Sequence, residues 1–253
     1  MAPPNSAPLT GRHAALSETS PSTRARVLAG LYLFVIICGV VAQAVIADRL
    51  VVANDAGKTA ADILANQSLY RLAFSMFMVE MAAQVATIAL FYDLLKPVNR
   101  SVARLSAMMG LVGAGIKTFA RVFYYAPLII LSGASYLSAF DPTQLAALSL
   151  VSIKINNQGA AIALVFFGFE AVLLGWLIYQ SGFLPRFLGV LSVVGGLGWL
   201  TYLWPPLGSK AFVFVALFAI GGVILTCGWF FVRGVDDEKW RARAALAATS
   251  LWR

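Results

Sequence analysis

Lys117 and Arg121 stand one helical turn apart in the run GAGIKTFARVFYY (113–125), inside a stretch apolar enough to lie in lipid. A cation at the centre of a membrane helix costs on the order of 2.5–3.5 kcal/mol on insertion scales, so each calls for an anionic partner. Glu80, with Gln84 one turn further on, and Glu170 lie near the middles of two other apolar runs. At about 100° per residue, Gly110, Gly113, Lys117, Arg121 and Tyr124 fall close to one line along their helix. Two carboxylates and two cations sum to zero charge, which is the arrangement expected if three helices turn them toward one another. The candidate substrate-binding residues are therefore Glu80, Gln84, Lys117, Arg121, Tyr124 and Glu170, with Tyr125 and the NNQ run at 156–158 at the outer mouth. In such a cluster Lys117 and Arg121 would hold an anionic group, while Glu80 and Glu170 would balance charge or carry protons. The competing reading is structural: Glu80 and Lys117 as one buried ion pair that fixes helix register, with Arg121 snorkelling to the interface.

The elements that must position these groups follow from composition. Of 253 residues, 60% are hydrophobic and 12% charged, with mean hydropathy +0.82, whereas soluble domains run near a quarter charged. The solvent is a bilayer, and spans of about 20 residues allow roughly six helices in one domain. Apolar runs fall at about 27–47, 71–95, 105–131, 157–180, 186–204 and 211–232. They are too long for barrel strands, and lipid leaves an unpaired amide no partner, so the fold class is all-α: a polytopic membrane bundle of about six transmembrane helices. Amphipathic stretches at 54–68 and 141–158 predict two interfacial helices, with Asp141 and Pro142 as a helix start. Most prolines fall at run ends; Pro127 does not, and it is expected to kink or end the third span just after Tyr125.

With the N-terminus inside, cytoplasmic segments hold 12 basic residues and outer segments 5, so both termini are expected in the cytoplasm of a bacterial inner membrane. The net charge of +8 then needs no nucleic acid. Residues 1–24, rich in Pro, Ser and Ala, read as a disordered cytoplasmic arm, residues 25–234 as the six-span domain, and 235–253 as a basic, Trp-bearing tail that can rest on anionic lipid. The AQA at 42–44 resembles a signal-peptide cleavage site, but the basic segment ahead of the core is long, so the first span is read as uncleaved. Cys38 and Cys227 differ in depth by roughly 8 Å, which opposes a disulfide.

The two amphipathic stretches and the spans after them share a plan: Asp55 to Asp141 is 86 residues, Glu80 to Glu170 is 90, and Pro97 to Pro185 is 88, a degenerate repeat or a shared topology grammar. RVLAGLYL (26–33), LLKPVNR (94–100) and above all FFGFEAVLLGWLIYQSGFLPRFLGVL (166–191) resemble signature stretches of a widespread bacterial family of multi-pass membrane proteins known as a domain of unknown function. The resemblance implies a compact helical membrane domain and carries no activity to transfer.

The single histidine, His13, lies in the arm, and no GxSxG, P-loop or dinucleotide fingerprint occurs. His-ligated metal or haem and Ser–His catalysis within the membrane are excluded, and no cofactor or metal is expected. Three functions stay open: binding and translocation of a small polar or anionic solute or proton; an intramembrane enzyme on a lipid or isoprenoid, with Glu80 or Glu170 as general acid; and a structural or accessory subunit. Membrane lipids and a small-molecule or lipid ligand are the expected partners, and a homodimer suits the transport reading.

Overall fold

The computed structural model describes residues 20–249. Eight helices follow one another: α1 (Pro21–Leu50), α2 (Ala56–Ala65), α3 (Gln67–Leu95), α4 (Arg100–Ile130), α5 (Pro142–Ser181), α6 (Arg186–Leu200, prolonged by the 3-10 turn Thr201–Leu203), α7 (Pro205–Val232) and α8 (Asp237–Thr249). Five of them, α1, α3, α5, α6 with its extension and α7, are long and apolar enough to cross a membrane. The helix expected as the third span, α4, is 31 residues long; Lys117 and Arg121 lower the hydropathy of its middle. It packs between α3 and α5.

Contacts between the long helices close into a ring. α1 packs on α3, α3 on α4, α4 on α5, α5 on α6, α6 on α7, and α7 returns to α1. One end of the ring carries both described termini and is filled by an apolar core that includes Leu28, Leu94, Leu95, Leu177, Leu188 and Phe230. Ser22 and the segment after α7 lock this end: the Ser22 N–H donates to Asp237 Oδ1 at 2.9 Å and its hydroxyl to the Val235 carbonyl at 2.7 Å. At the far end a second core, with Ile46, Leu50, Ile63, Tyr70, Phe77 and Tyr124, joins α1 to α5 and receives nothing from α6 or α7.

Local chemistry sets the boundaries. Asp55 caps α2 by accepting from Lys58 N at 2.8 Å, and Asn99 caps α4 through Val102 N. Asp141 and Gln144 form a reciprocal capping box at the start of α5. The Thr143 hydroxyl and the Gln144 amide on the Asp141 carboxylate hold it below its ordinary range. The SGFLPR loop is a tight turn in which Gly182 adopts φ +74°, Ser181 Oγ accepts from Leu184 N, and Pro185 begins α6.

The structure meets some of these expectations and corrects others. The amphipathic 54–68 segment forms the separate helix α2, ended at Asn66 (φ −124°, ψ 36°). Its counterpart at 141–158 is no separate helix: α5 runs unbroken for 40 residues, about 60 Å at 1.5 Å per residue, twice a hydrocarbon core. No proline or glycine falls between Thr143 and Gln158, and Ser149 and Ser152 return their hydroxyls to carbonyls of the same helix. Pro127 does not end α4 at Tyr125, since the helix continues to Ile130. There the Tyr70 hydroxyl donates to the Tyr124 carbonyl at 2.6 Å, next to Phe123, whose carbonyl loses its helical donor to the proline ring. Of the expected arm, residues 1–19 lie outside the described residues, and 21–24 are the first turn of α1. In the tail Trp240 turns inward, giving its indole N–H to Leu94 O at 2.8 Å; residues 250–253 lie outside the described residues. Cys38 and Cys227 are free and buried.

α5 and α6 approach through glycines spaced alike on both helices. A Cβ on Gly175 or on Gly189 would sit 2.5 Å from the other's carbonyl oxygen, and Gly168 faces Gly196 in the same way seven residues away. Gly189→Ala is expected to push these backbones apart and destabilise by about 1–3 kcal/mol. Gly221→Ala, which meets nothing within 4 Å, serves as the neutral control; comparing thermal midpoints in detergent checks both.

Candidate functional site

The ring encloses a cavity of about 220 Å³ to which α1, α3, α4, α5, α6 and α7 all contribute. A water occupies about 30 Å³ of liquid, so several waters or one small ligand fit. The terminal-end core closes it below. Glu80 and Gln84 from α3, Lys117 from α4 and Glu170 from α5 line it.

Lys117 Nζ donates to Glu80 Oε1 at 2.6 Å, with the Glu80 side chain 4% exposed and that of Lys117 21% exposed. The second Glu80 oxygen has no hydrogen-bond partner. Room for this carboxylate comes from α1, where a Cβ on Gly39 would lie 2.8 Å from Glu80 Oε1. Glu170 occupies a similar niche, since a Cβ on Gly110 would come within 2.5 Å of its carboxyl. Gly110, which shares the face of Lys117 and Arg121, thus makes room for a side chain of another helix. Glu170 is buried, and its carboxyl makes no ion pair among the described residues. The backbone carbonyl of the same residue accepts from Ser106 Oγ at 3.2 Å.

Arg121 and Tyr124 lie elsewhere. Arg121 is 3% exposed, so it does not snorkel. Its guanidinium lies 3.5 Å from the centroid of the Phe77 ring, and Nη1 donates to Asn156 Oδ1 at 3.1 Å. Tyr124 stacks on Tyr70 at 4.3 Å and meets Phe77 edge-on. Arg121 Nε and the Tyr124 hydroxyl are buried without partners. The expected cluster therefore divides into a lumen with Glu80, Gln84, Lys117 and Glu170 and a separate aromatic compartment with Arg121, Tyr124 and Asn156. A step of four residues moves a side chain about 6 Å along the axis, and a flat, weakly hydrated guanidinium stacks on an aromatic face more readily than an ammonium does. Gln43 of α1 donates to Asp48 at 2.7 Å and takes no part in the lumen. Tyr125 takes a hydrogen bond from Arg71 at 2.8 Å, away from any mouth of the lumen.

Sequence reasoning missed Tyr32, Trp199 and Val223, which line the lumen, and Gly39. A glycine in an apolar run gives no sign that a carboxylate from another helix needs its space. Asn156 was visible within the NNQ run, though as a mouth residue and not as the partner of Arg121. Among the described residues no three His, Cys, Asp or Glu side chains converge to hold a metal ion.

Residues 27–234 match the family model described as Domain of unknown function (DUF4386). The chain belongs to that family. The DUF4386 region takes in the six ring helices and the lumen and stops before α8, and the resemblance carried by RVLAGLYL, LLKPVNR and the SGFLPR loop holds. An uncharacterized protein of Archaeoglobus fulgidus is 24% identical over 161 residues, 63% of this chain and 81% of its own length. No solved structure matches.

The ion pair makes a prediction. Lys117→Met leaves a buried carboxylate without its cation, a loss of about 3–5 kcal/mol. Adding Glu80→Leu removes the orphan and is expected to restore most of the thermal midpoint. A double variant no more stable than the single one overturns the pairing as a stabilising unit.

Proposed function

We propose that this DUF4386 membrane protein binds a small solute in its lumen and translocates it, or a proton in its place, with Glu170 and Gln84 as the polar contacts. The observation that carries this reading is the Glu170 carboxyl: it lines the cavity, is 6% exposed and has no ion-pair partner among the described residues. The ammonium nearest to it in sequence logic, Lys117, is engaged by Glu80. With Arg121 outside, the lumen holds two carboxyls and one ammonium. That balance supports a cationic or hydrogen-bond-donating solute over an anionic one. Movement through the ring requires the terminal-end core to part, so transport here is alternating access around a central site.

A second reading is favoured by one feature, the aromatic wall of Tyr32, Phe167 and Trp199 around a lone carboxyl. It is an intramembrane enzyme on a lipid or isoprenoid in which Glu170, and not the paired Glu80, is the general acid. In either reading the terminal end faces the cytoplasm of a bacterial inner membrane. Among the described residues that end carries ten basic and four acidic residues, the far end five and four.

Native mass spectrometry of gently purified protein, with bound small molecules eluted and identified, tests the site. Glu170→Gln is expected to lose the bound molecule while keeping its thermal midpoint. Retention of the same molecule at wild-type occupancy sinks the assignment of Glu170.

A further inference from the structure

We infer that the lumen opens to the bilayer through a seam between α1 and α7, and that its occupant is a single-chain amphiphile. The cationic or hydroxyl head meets Glu170 and the apolar chain lies in the seam. This rests on the lumen being a solute site.

The seam follows from where α1 and α7 touch. At the terminal end both belong to one core, Leu28 and Ala29 from α1 with Cys227 and Phe230 from α7. Further along, α1 changes partners: Ala42, Ile46 and Leu50 join the far-end core with α2 to α5, in which α7 has no part. The change coincides with a π-helical segment, Val41–Ala47. Such wide turns shift side-chain phase and bend a helix, and they concentrate at functional sites. On α7, no residue between Gly208 and Thr226 is buried. In that stretch it meets α6 through Val215 on Gly198, Ala219 on Gly195 and Phe212 near Trp199. The two helices therefore form a wedge that widens away from the terminal end.

Its walls are apolar. Ile36 of α1 and Ile220 and Val223 of α7 line the cavity and stay partly exposed. Two hydroxyls on that side are satisfied internally, Thr226 by the Gly222 carbonyl at 2.9 Å and Ser192 by the Ala171 carbonyl at 2.8 Å, which leaves the Tyr32 hydroxyl as the polar exception on α1. On the opposite wall, Glu170 and Gln84 make no side-chain hydrogen bond among the described residues. The lumen is thus amphipathic across its width: the acid and amide groups Glu170 and Gln84 on α5 and α3, and on α1, α6 and α7 a mostly apolar surface whose polar atoms are those of Tyr32, Trp199 and the satisfied Ser192 and Thr226. A freely soluble polar solute would leave the second wall unsolvated, whereas an acyl or alkyl chain matches it. A cavity of about 220 Å³ takes the head and its first carbons, and the rest of the chain lies between α1 and α7 in contact with lipid.

Photolabelling the whole protein in phosphatidylcholine vesicles tests this. The probes are a hexadecylamine with a mid-chain diazirine, the fatty acid with the same chain, and a short, water-soluble diazirine alkylamine. Labelled peptides are mapped by mass spectrometry. Long-amine label is expected at Tyr32–Ile36 and 219–226, displaced by unlabelled hexadecylamine and about tenfold above the acid, or about 1.4 kcal/mol. Plugging the seam from either side, by Val223→Trp or Ile36→Trp, should cut long-amine label about tenfold and spare short-amine label in the lumen; Glu170→Gln should reduce both. Long-amine label that spreads evenly over outward residues such as Phe214 and Leu217 and resists displacement overturns the seam while short-amine label leaves the lumen site standing. Label preferring the acid overturns the head assignment. Failure of the short amine to label the lumen overturns the underlying site.

Discussion

The ion pair between Lys117 and Glu80 fixes how α3 and α4 face one another, and both compartments depend on that register. Once Glu80 points into the ring, Phe77, one turn away on α3, lies where α4 brings Arg121, one turn from Lys117. A single helix–helix phase thus places an ammonium on a carboxylate and a guanidinium on an aromatic ring. In lipid this phase is enforced more strongly than in water, because an unpaired charge cannot retreat into solvent and apolar side chains are no better buried inside the bundle than outside it. Packing of the remaining helices has to accommodate that constraint. Gly39 and Gly110 do so, each removing a Cβ where a carboxylate must sit.

The two kinds of glycine contact act in opposite directions. Between α5 and α6 the paired glycines bring backbones together and shut the ring on that side, with Gly175 against Gly189 and Gly168 against Gly196. Beside Glu80 and Glu170 a glycine opens a niche that a neighbouring side chain fills. The cavity exists because closure is uneven around the ring: tight at α5–α6, sealed at the terminal end by a large apolar core, and loose where α1 departs from α7.

Much of this was legible in the sequence, for identifiable reasons. Hydropathy gave the spans, since lipid exposure demands long apolar runs, and Asp55, Asp141 and Pro142 marked helix starts because capping is local chemistry. That Glu80, Lys117, Arg121 and Glu170 lie at overlapping depths was legible, and Glu80 with Lys117 was one reading among them, but which carboxylate meets which cation was not. What could not be read depends on neighbours remote in sequence. Lys117 and Arg121 share a helix face, yet the crossing of α3 and α5 decides that one meets a carboxylate and the other Phe77 and Asn156. Ser149 and Ser152, which made the segment look amphipathic and interfacial, bond within their own helix, and α5 runs through them without a break. The π-helical turn of α1 left no trace in VAQAVIA, whose residues suit an ordinary helix equally well.

Among the described residues, two ionisable side chains in the bundle interior lack an ion-pair partner, Arg121 and Glu170, and they face different compartments. Arg121 keeps its proton at any accessible pH, whereas Glu170 has two states. With Glu80 and Lys117 cancelling, the interior carries one positive charge when Glu170 is protonated and none when it is ionised. A monocation bound to ionised Glu170 returns the total to plus one. Exchange of a proton for a cationic head at Glu170 therefore leaves the net charge buried in the bilayer unchanged, and with it the largest electrostatic cost of occupancy. A carboxylate already committed to Lys117, as Glu80 is, cannot offer that exchange without first orphaning an ammonium. On the proposed reading, the division of the four charges into one closed pair, one stacked guanidinium and one unpaired acid is what would let Glu170 trade one cation for another.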